Sequence, residues 1–217
     1  VNSHFTKNKV LESFKNIKKI DVSFCGVNAC DIHKKKVDKE FLQEYGLENK
    51  KILLSITRLM KRKGIDNAIL AFNEYIKSNP HLNLVFLIAG TGQEEENLKE
   101  LVDKLFLVDK VIFLGNISDS DKVNLLNLAD VFIMPSRELP DGDVEGFGIV
   151  FLEANCCEKP VIAGNSGGVP SAVQDGFNGL LVNPEDIRDI ASKIELLLND
   201  PDYANQLGRN GRIRAET

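Results

Sequence analysis

Two acidic and two basic residues carry most of the chemistry this sequence could perform. Glu145 and Glu153 stand eight residues apart in Glu145-Gly-Phe-Gly-Ile-Val-Phe-Leu-Glu153, around a Gly-Phe-Gly turn. A polar loop containing Pro140 and Gly142 precedes them, and a helix beginning near Gly148 is predicted to follow. A helix N-terminus offers unpaired N–H groups and a partial positive charge, so it suits an anion. Glu153 then falls inside the helix and Glu145 in the loop ahead of it. At about 1.5 Å rise per residue, the carboxylates come on the order of 10 Å apart. That separation fits the two ends of an extended ligand with an anion in the middle. It exceeds the roughly 5 Å of a retaining-glycosidase carboxylate pair. By spacing alone, a helix-start acid and a solvated helix-face residue explain Glu145 and Glu153 equally well. Arg58 and Lys63 lie in Thr57-Arg-Leu-Met-Lys-Arg-Lys-Gly64. A guanidinium beside an ammonium is a natural pair for a diphosphate. Lys61 and Arg62 exceed what one site needs and read as solvated loop charge.

The elements that must position these residues follow a regular pattern from residue 51 onward. Strands are predicted over 51–57, 82–89, 111–114, 131–135, 161–163 and 180–182. Helices are predicted over 65–78, 94–106, 118–128, 148–157, 169–174, 185–198 and 202–213. Near-continuous apolar runs such as Leu84-Val-Phe-Leu-Ile-Ala89 are those of strands buried on both faces of a parallel sheet. The alternation describes a doubly wound, six-stranded parallel Rossmann-like α/β sheet, in which ligands bind beyond the carboxyl ends of the strands. Those ends carry Arg58 and Lys63, Gly90-Thr-Gly-Gln93, Gly115-Asn-Ile-Ser118, the acidic loop, and Gly164-Asn-Ser-Gly-Gly168. Gly90-Thr-Gly92 lacks the third glycine of a dinucleotide fingerprint, and close backbone approach suffices to explain it. Gly164–Gly168 reads equally as an anion nest or a plain turn. Before residue 51 a helix over 3–17, a short strand over 20–24 and a helix over 37–45 are predicted.

Composition narrows the classes. An apolar fraction of 43% is enough for a filled core, and 27% charged residues argue against disorder. A net charge of −5 makes nucleic acid an unsuited partner. No apolar run approaches the ~18 residues of a membrane span. Cys25, Cys30, Cys156 and Cys157 have no zinc-site spacing, and the adjacent pair cannot easily bridge itself, so a reduced cytoplasmic compartment fits. His4, His33 and His81 are scattered and read as surface or packing residues.

Taken in order, Thr57-Arg58 to Lys63-Gly64, Ala89-Gly90-Thr-Gly92, Phe113-Leu-Gly115, Ala129-Asp-Val-Phe-Ile-Met-Pro135-Ser136, Glu145 to Glu153-Ala, Pro160-Val-Ile-Ala-Gly164, Gly167-Gly168-Val-Pro170 and Asp175-Gly-Phe-Asn-Gly-Leu-Leu-Val182 resemble glycosyltransferase family 4. These are retaining nucleotide-sugar enzymes of the GT-B fold, and the likeness spans roughly residues 50–210. The loop Asp141-Gly-Asp-Val-Glu-Gly-Phe-Gly-Ile-Val150 is similar to that of phosphatidylinositol mannosyltransferases, although other sugar specificities share it.

The resemblance implies that residues 31–217 form the C-terminal, donor-binding domain of a hexosyltransferase using a UDP- or GDP-sugar. Residues 1–30 would be the end of the N-terminal acceptor domain plus a linker, and the final crossing helix would be cut off near Thr217. It further implies that Arg58 and Lys63 neutralise the diphosphate and that Glu145 contacts donor-sugar hydroxyls. Backbone groups of Gly146, Phe147, Gly148, Ile149 and Val150 would hold sugar and phosphate, with Gly90 alongside. Ile117 would line the base pocket and Glu153 would hold the ribose. The reaction would be a front-face displacement without a protein nucleophile, a cofactor or a required metal. A lipid or glycan acceptor would be bound mainly by the N-terminal domain, which leaves room for peripheral attachment of the full-length enzyme to the inner face of the membrane. Two alternatives remain open at this stage: a nucleotide-binding module without transfer activity, and an enzyme of the UDP-N-acetylglucosamine 2-epimerase type.

Overall fold

The computed structural model describes the whole chain except Lys15, Lys18 and Asp38. Six parallel strands form one sheet: β1 Lys51–Ile56, β2 Leu84–Ala89, β3 Val111–Gly115, β4 Val131–Met134, β5 Val161–Gly164 and β6 Leu180–Val182, in the order β3-β2-β1-β4-β5-β6. β1 runs in full register with β2, from Lys51 opposite Leu84 to Ile56 opposite Ala89, and meets β4 at Leu53–Val131. This is the doubly wound order, with its reversal between β1 and β4.

The apolar strands behave as their composition demands. Every residue of β2 is buried. Phe86 and Ile88 point into one core with Leu53, Val131 and Ile133, while Val85 and Leu87 point into the other with Ile52, Leu54 and Phe132. The first core is covered by α3 (Ile65–Ser78), α4 (Glu95–Lys104) and α8 (Ile187–Asn199), with Phe72 on Phe86 at 5.8 Å between ring centroids. The second lies under α5 (Asp119–Leu128), α6 (Ile149–Cys156) and α7 (Val169–Ala172), with Phe132 edge-on to Phe151 at 6.0 Å. The last helix, α9 (Pro201–Glu216), packs on α6 and α8. Cys156 and Cys157 are fully buried at the end of α6, where burial pushes the Cys157 thiol up to about 12.

Three expectations for the N-terminal segment need correction. The helix predicted over 3–17 ends at Ser13, as α1 (His4–Ser13), and Lys15 within that prediction lies outside the described residues. The helix predicted over 37–45 is α2 (Lys39–Glu44), with Asp38 outside the described residues. Residues 20–24 do not form a strand. A strand needs a partner for its N–H and C=O groups, and residues 20–24 pair with none of the six strands. The segment instead straps onto residue 1: the Ser23 N–H donates to Val1 O at 2.8 Å, and the Val1 ammonium donates to Asp21 O at 3.1 Å.

Candidate functional site

The crevice between the carboxyl ends of β1 and β4 gathers the charged residues. After β1 the chain makes one 3-10 turn, Lys61–Lys63, before α3. After β4 a loop of residues 135–148 runs back across it, held by the Arg137 N–H donating to Arg62 O at 2.8 Å. Lys63 donates a short hydrogen bond to Glu145 Oε2. Arg62 Nη1 donates to the same oxygen at 3.1 Å, and Arg62 Nε lies 3.1 Å from Asp143 Oδ1 without hydrogen-bonding alignment. Glu145 is therefore neither solvated nor a simple helix-start acid; its side chain is 14% exposed and faces two cations.

The electrostatics of this cluster follow from one carboxylate serving two cations. Burial alone would push the Glu145 carboxyl up. Lys63, by hydrogen bond and charge, and then Arg62 outweigh burial and hold it below its ordinary value. Burial draws the Lys63 ammonium down; Glu145 offsets this only in part, while Arg62 and Arg58 add to it. Arg58 is thus within electrostatic reach of Lys63, although its own side chain is exposed.

Arg58 and Thr57 form one wall of a pocket of about 260 Å³ over the ends of β1, β2 and β3. Gly90, Thr91, Asn116, Ile117 and Lys122 complete it, so Gly90 and Ile117 share one pocket. Gly90 sits at φ +118°, and a Cβ there would lie 2.0 Å from Thr57 O. Close backbone approach does explain that glycine. Ser118 starts α5 by accepting from the Asp121 N–H at 3.1 Å, which fixes Asp119 and Lys122 at the pocket's rim. Both residues also line an adjoining cavity of about 490 Å³, whose other wall is Asn28, Asp31, Ile32, His33 and Lys35.

The Gly146–Val150 stretch is clamped from two sides. The Gly168 N–H donates to Glu145 O at 2.8 Å, and any Cβ on Gly168 would overlap Gly146 O at 1.8 Å. Phe147 is buried and stacks on Phe24 at 6.0 Å between ring centroids. Gly148 caps α6 at φ +87° without a side-chain cap, so the first-turn amides of Ile149 and Val150 have no partner within the helix. Ile149 is 44% exposed. Asn2, just ahead of the buried Ser3 that caps α1, also borders Gly146.

Glu153 lies one turn into α6 with its side chain 15% exposed, and Lys122 donates to its Oε1 at 2.9 Å. Burial draws the Lys122 ammonium down, but Glu153 and Asp119 more than offset that and raise it. Lys61 is exposed, as expected. Arg62 is the correction: it is 9% exposed and bound into the Glu145 cluster, not a solvated loop charge. Sequence reasoning also missed Asp143 and Lys122. The former is one acid among several in a polar loop, and the latter pairs across 31 residues with no local pattern to mark it.

The family model described as glycosyl transferases group 1 matches residues 37–214. The chain belongs to that family. Among relatives of this group, it is 40% identical over 161 residues to the GDP-mannose-dependent monoacylated alpha-(1-6)-phosphatidylinositol monomannoside mannosyltransferase of Corynebacterium glutamicum, covering 74% of this chain and 41% of that one. Sucrose-phosphate synthase of Thermosynechococcus elongatus superimposes with a TM-score of 0.86 at 27% identity, over 100% of this chain and 52% of that one. The C-terminal domain of a group 1 glycosyltransferase from Francisella tularensis superimposes with a TM-score of 0.75 at 26% identity, over 88% of this chain and 97% of that one. The chain spans about half the length of the curated relatives it matches. These matches bear out the family resemblance and the GT-B half-fold.

Proposed function

We propose that this group 1 chain is the donor-binding half of a retaining mannosyltransferase that uses GDP-mannose and delivers the sugar to a lipid- or glycan-borne hydroxyl. One observation carries the reading: Lys63, Arg62 and Glu145 converge at the β1/β4 crevice, between the α6 N-terminus and the pocket holding Arg58, Gly90 and Ile117. GDP-mannose is favoured over other donors by the name of the Corynebacterium relative and by the joined cavities at Asp119 and Lys122, which offer room for a purine.

In this reading the base lies against Ile117 and the diphosphate reaches Arg58 and Lys63. As the glycosidic bond breaks, negative charge grows on the departing diphosphate. Once Arg58 and Lys63 have engaged the diphosphate, these cations and the α6 amides stabilise that charge, a task for which the reading invokes no metal. Glu145 accepts from sugar hydroxyls and Glu153 from the ribose. The acceptor binds mainly to a preceding domain, whose last part is residues 1–30. Support for that division comes from α1, which has no buried residue and leaves Leu11 43% and Phe14 61% exposed. Among the described residues no helix is long and apolar enough to cross a membrane; a lipid acceptor would be met by peripheral attachment at the cytoplasmic face.

Calorimetric titration with GDP, UDP, GDP-mannose and UDP-glucose tests the proposal. GDP and GDP-mannose should bind, with UDP weaker. Absence of binding to every nucleotide would refute it.

A further inference from the structure

Lys63 cannot give its full charge to a diphosphate while it is tied to Glu145 Oε2. A diphosphate with about two negative charges competes for that ammonium, and Glu145 would then lose its nearest counter-charge. Arg62 stands at the same oxygen, 3.1 Å away. Both cations are equally buried, but Arg62 alone has a second carboxylate beside it, with its Nε edge 3.1 Å from Asp143 Oδ1, so it is poorly placed to follow Lys63 toward the phosphates. The backbone beneath it is also fixed, by the Arg137 N–H on Arg62 O.

We infer that Arg62, backed by Asp143, is a positioning residue that retains the Glu145 carboxylate, charged and oriented, when the donor diphosphate takes Lys63. This rests on the proposed roles of Lys63 and Glu145 and assigns Arg62 a part that Lys63 cannot fill. Lys63 acts on the diphosphate whether or not a sugar is attached. Arg62 acts through Glu145 and therefore only on the sugar. The two adjacent cations divide the donor between them. Asp143 takes part as a second counter-charge 3.1 Å from Arg62 Nε, whereas Lys63 has Glu145 alone.

The test compares GDP with GDP-mannose on the 217-residue chain by calorimetry and follows unfolding midpoints alongside. Arg62→Gln should leave GDP affinity within about 3-fold of wild type. It should cut the extra affinity contributed by mannose about 10-fold, the scale of one charge-assisted hydrogen bond. Lys63→Ala should weaken both ligands together. Asp143→Asn perturbs an exposed loop carboxylate and keeps the arginine, so it serves if Arg62→Gln fails to fold. It should lower the mannose increment about 3-fold with GDP unchanged. Equal weakening of GDP and GDP-mannose in Arg62→Gln or Asp143→Asn, or an unchanged mannose increment in both, overturns the assignment and leaves the donor-domain reading standing. Failure of the wild-type chain to bind any nucleotide would overturn both.

Discussion

Replacing Glu145 by Gln separates the structural and functional sides of the cluster. The substitution is nearly isosteric and removes the charge that Lys63 and Arg62 share. Removing one partner of a buried ion pair costs about 3–5 kcal/mol when the other charge is stranded. Here the Lys63 and Arg62 side chains keep 11% and 10% exposure and Arg62 keeps Asp143, so about 2–3 kcal/mol is expected. For a chain of this size that is a fall in Tm of about 4–12 °C, measurable by calorimetry or urea unfolding at pH 7. The pH dependence has a definite sign. The native Glu145 carboxyl lies below its ordinary value, so its stabilisation is present above the unfolded pKa of about 4.3. It is lost as pH falls through the lowered folded value. The gap between wild type and Glu145→Gln should therefore begin to close below about pH 4.3. Freeing Lys63 should also tighten GDP while the mannose increment falls. Equal stability at pH 7, to within about 0.5 kcal/mol, or a gap that persists in acid would refute the pairing.

Other consequences are sharper in sign than in size. Asn178 and Asn155 are fully buried and exchange three hydrogen bonds with each other and Lys159 O, while Asn178 Oδ1 accepts from the Gln174 N–H at 2.7 Å. Asn178→Ala orphans several of these groups and should cost about 2–4 kcal/mol in urea unfolding; a loss under about 1 kcal/mol would mean that the network is replaceable. Gly90→Ala places a Cβ against Thr57 O in a left-handed conformation and should weaken nucleotide binding at least about 10-fold, since the pocket wall must open; normal binding would show that the strand ends can part. In the folded chain a thiol reagent should label Cys30 and, more slowly, Cys25, but not the buried Cys156 and Cys157. Rapid labelling of four thiols without denaturant would contradict the packing of α6.

The sheet was legible because its strands are apolar and punctuated by polar turns, even where they are as short as the three residues of β6. Leu84–Ala89 admits little else, and α3 appears at the predicted 65–78. Residues 20–24 show the limit of that reasoning. Their local pattern is strand-like, but strand formation depends on a partner edge that no local pattern can report. Arg58, Lys63 and Glu145 were singled out by residue type and by their place beyond strand ends, and Glu153 by its spacing from Glu145; the structure brings Lys63 and Glu145 into contact. Arg62 was not, because Lys61-Arg-Lys63 reads as a charge run. In a 3-10 turn successive side chains diverge by about 120°, so three neighbouring cations meet three environments: solvent for Lys61, Asp143 and Glu145 for Arg62, and Glu145 alone for Lys63.

That divergence bears on how a chain with a net charge of −5 could hold a diphosphate. Charges farther than about 8–10 Å are screened at physiological salt, so the local balance decides. Around the crevice, Arg62 is committed to Glu145 and Asp143, which leaves Arg58 and Lys63 as the cations for a phosphate. Each site carboxylate is also engaged by a lysine from a different element, Glu145 by Lys63 and Glu153 by Lys122. Part of the diphosphate's attraction is then used to separate Lys63 from Glu145. On the proposed donor reading the affinity is lower than free cations would give, and seating the phosphates leaves Glu145 Oε2 to Arg62. In the proposed scheme, binding and orientation of the sugar are coupled through a single ammonium, with Arg62 keeping the carboxylate in place as that ammonium changes partners.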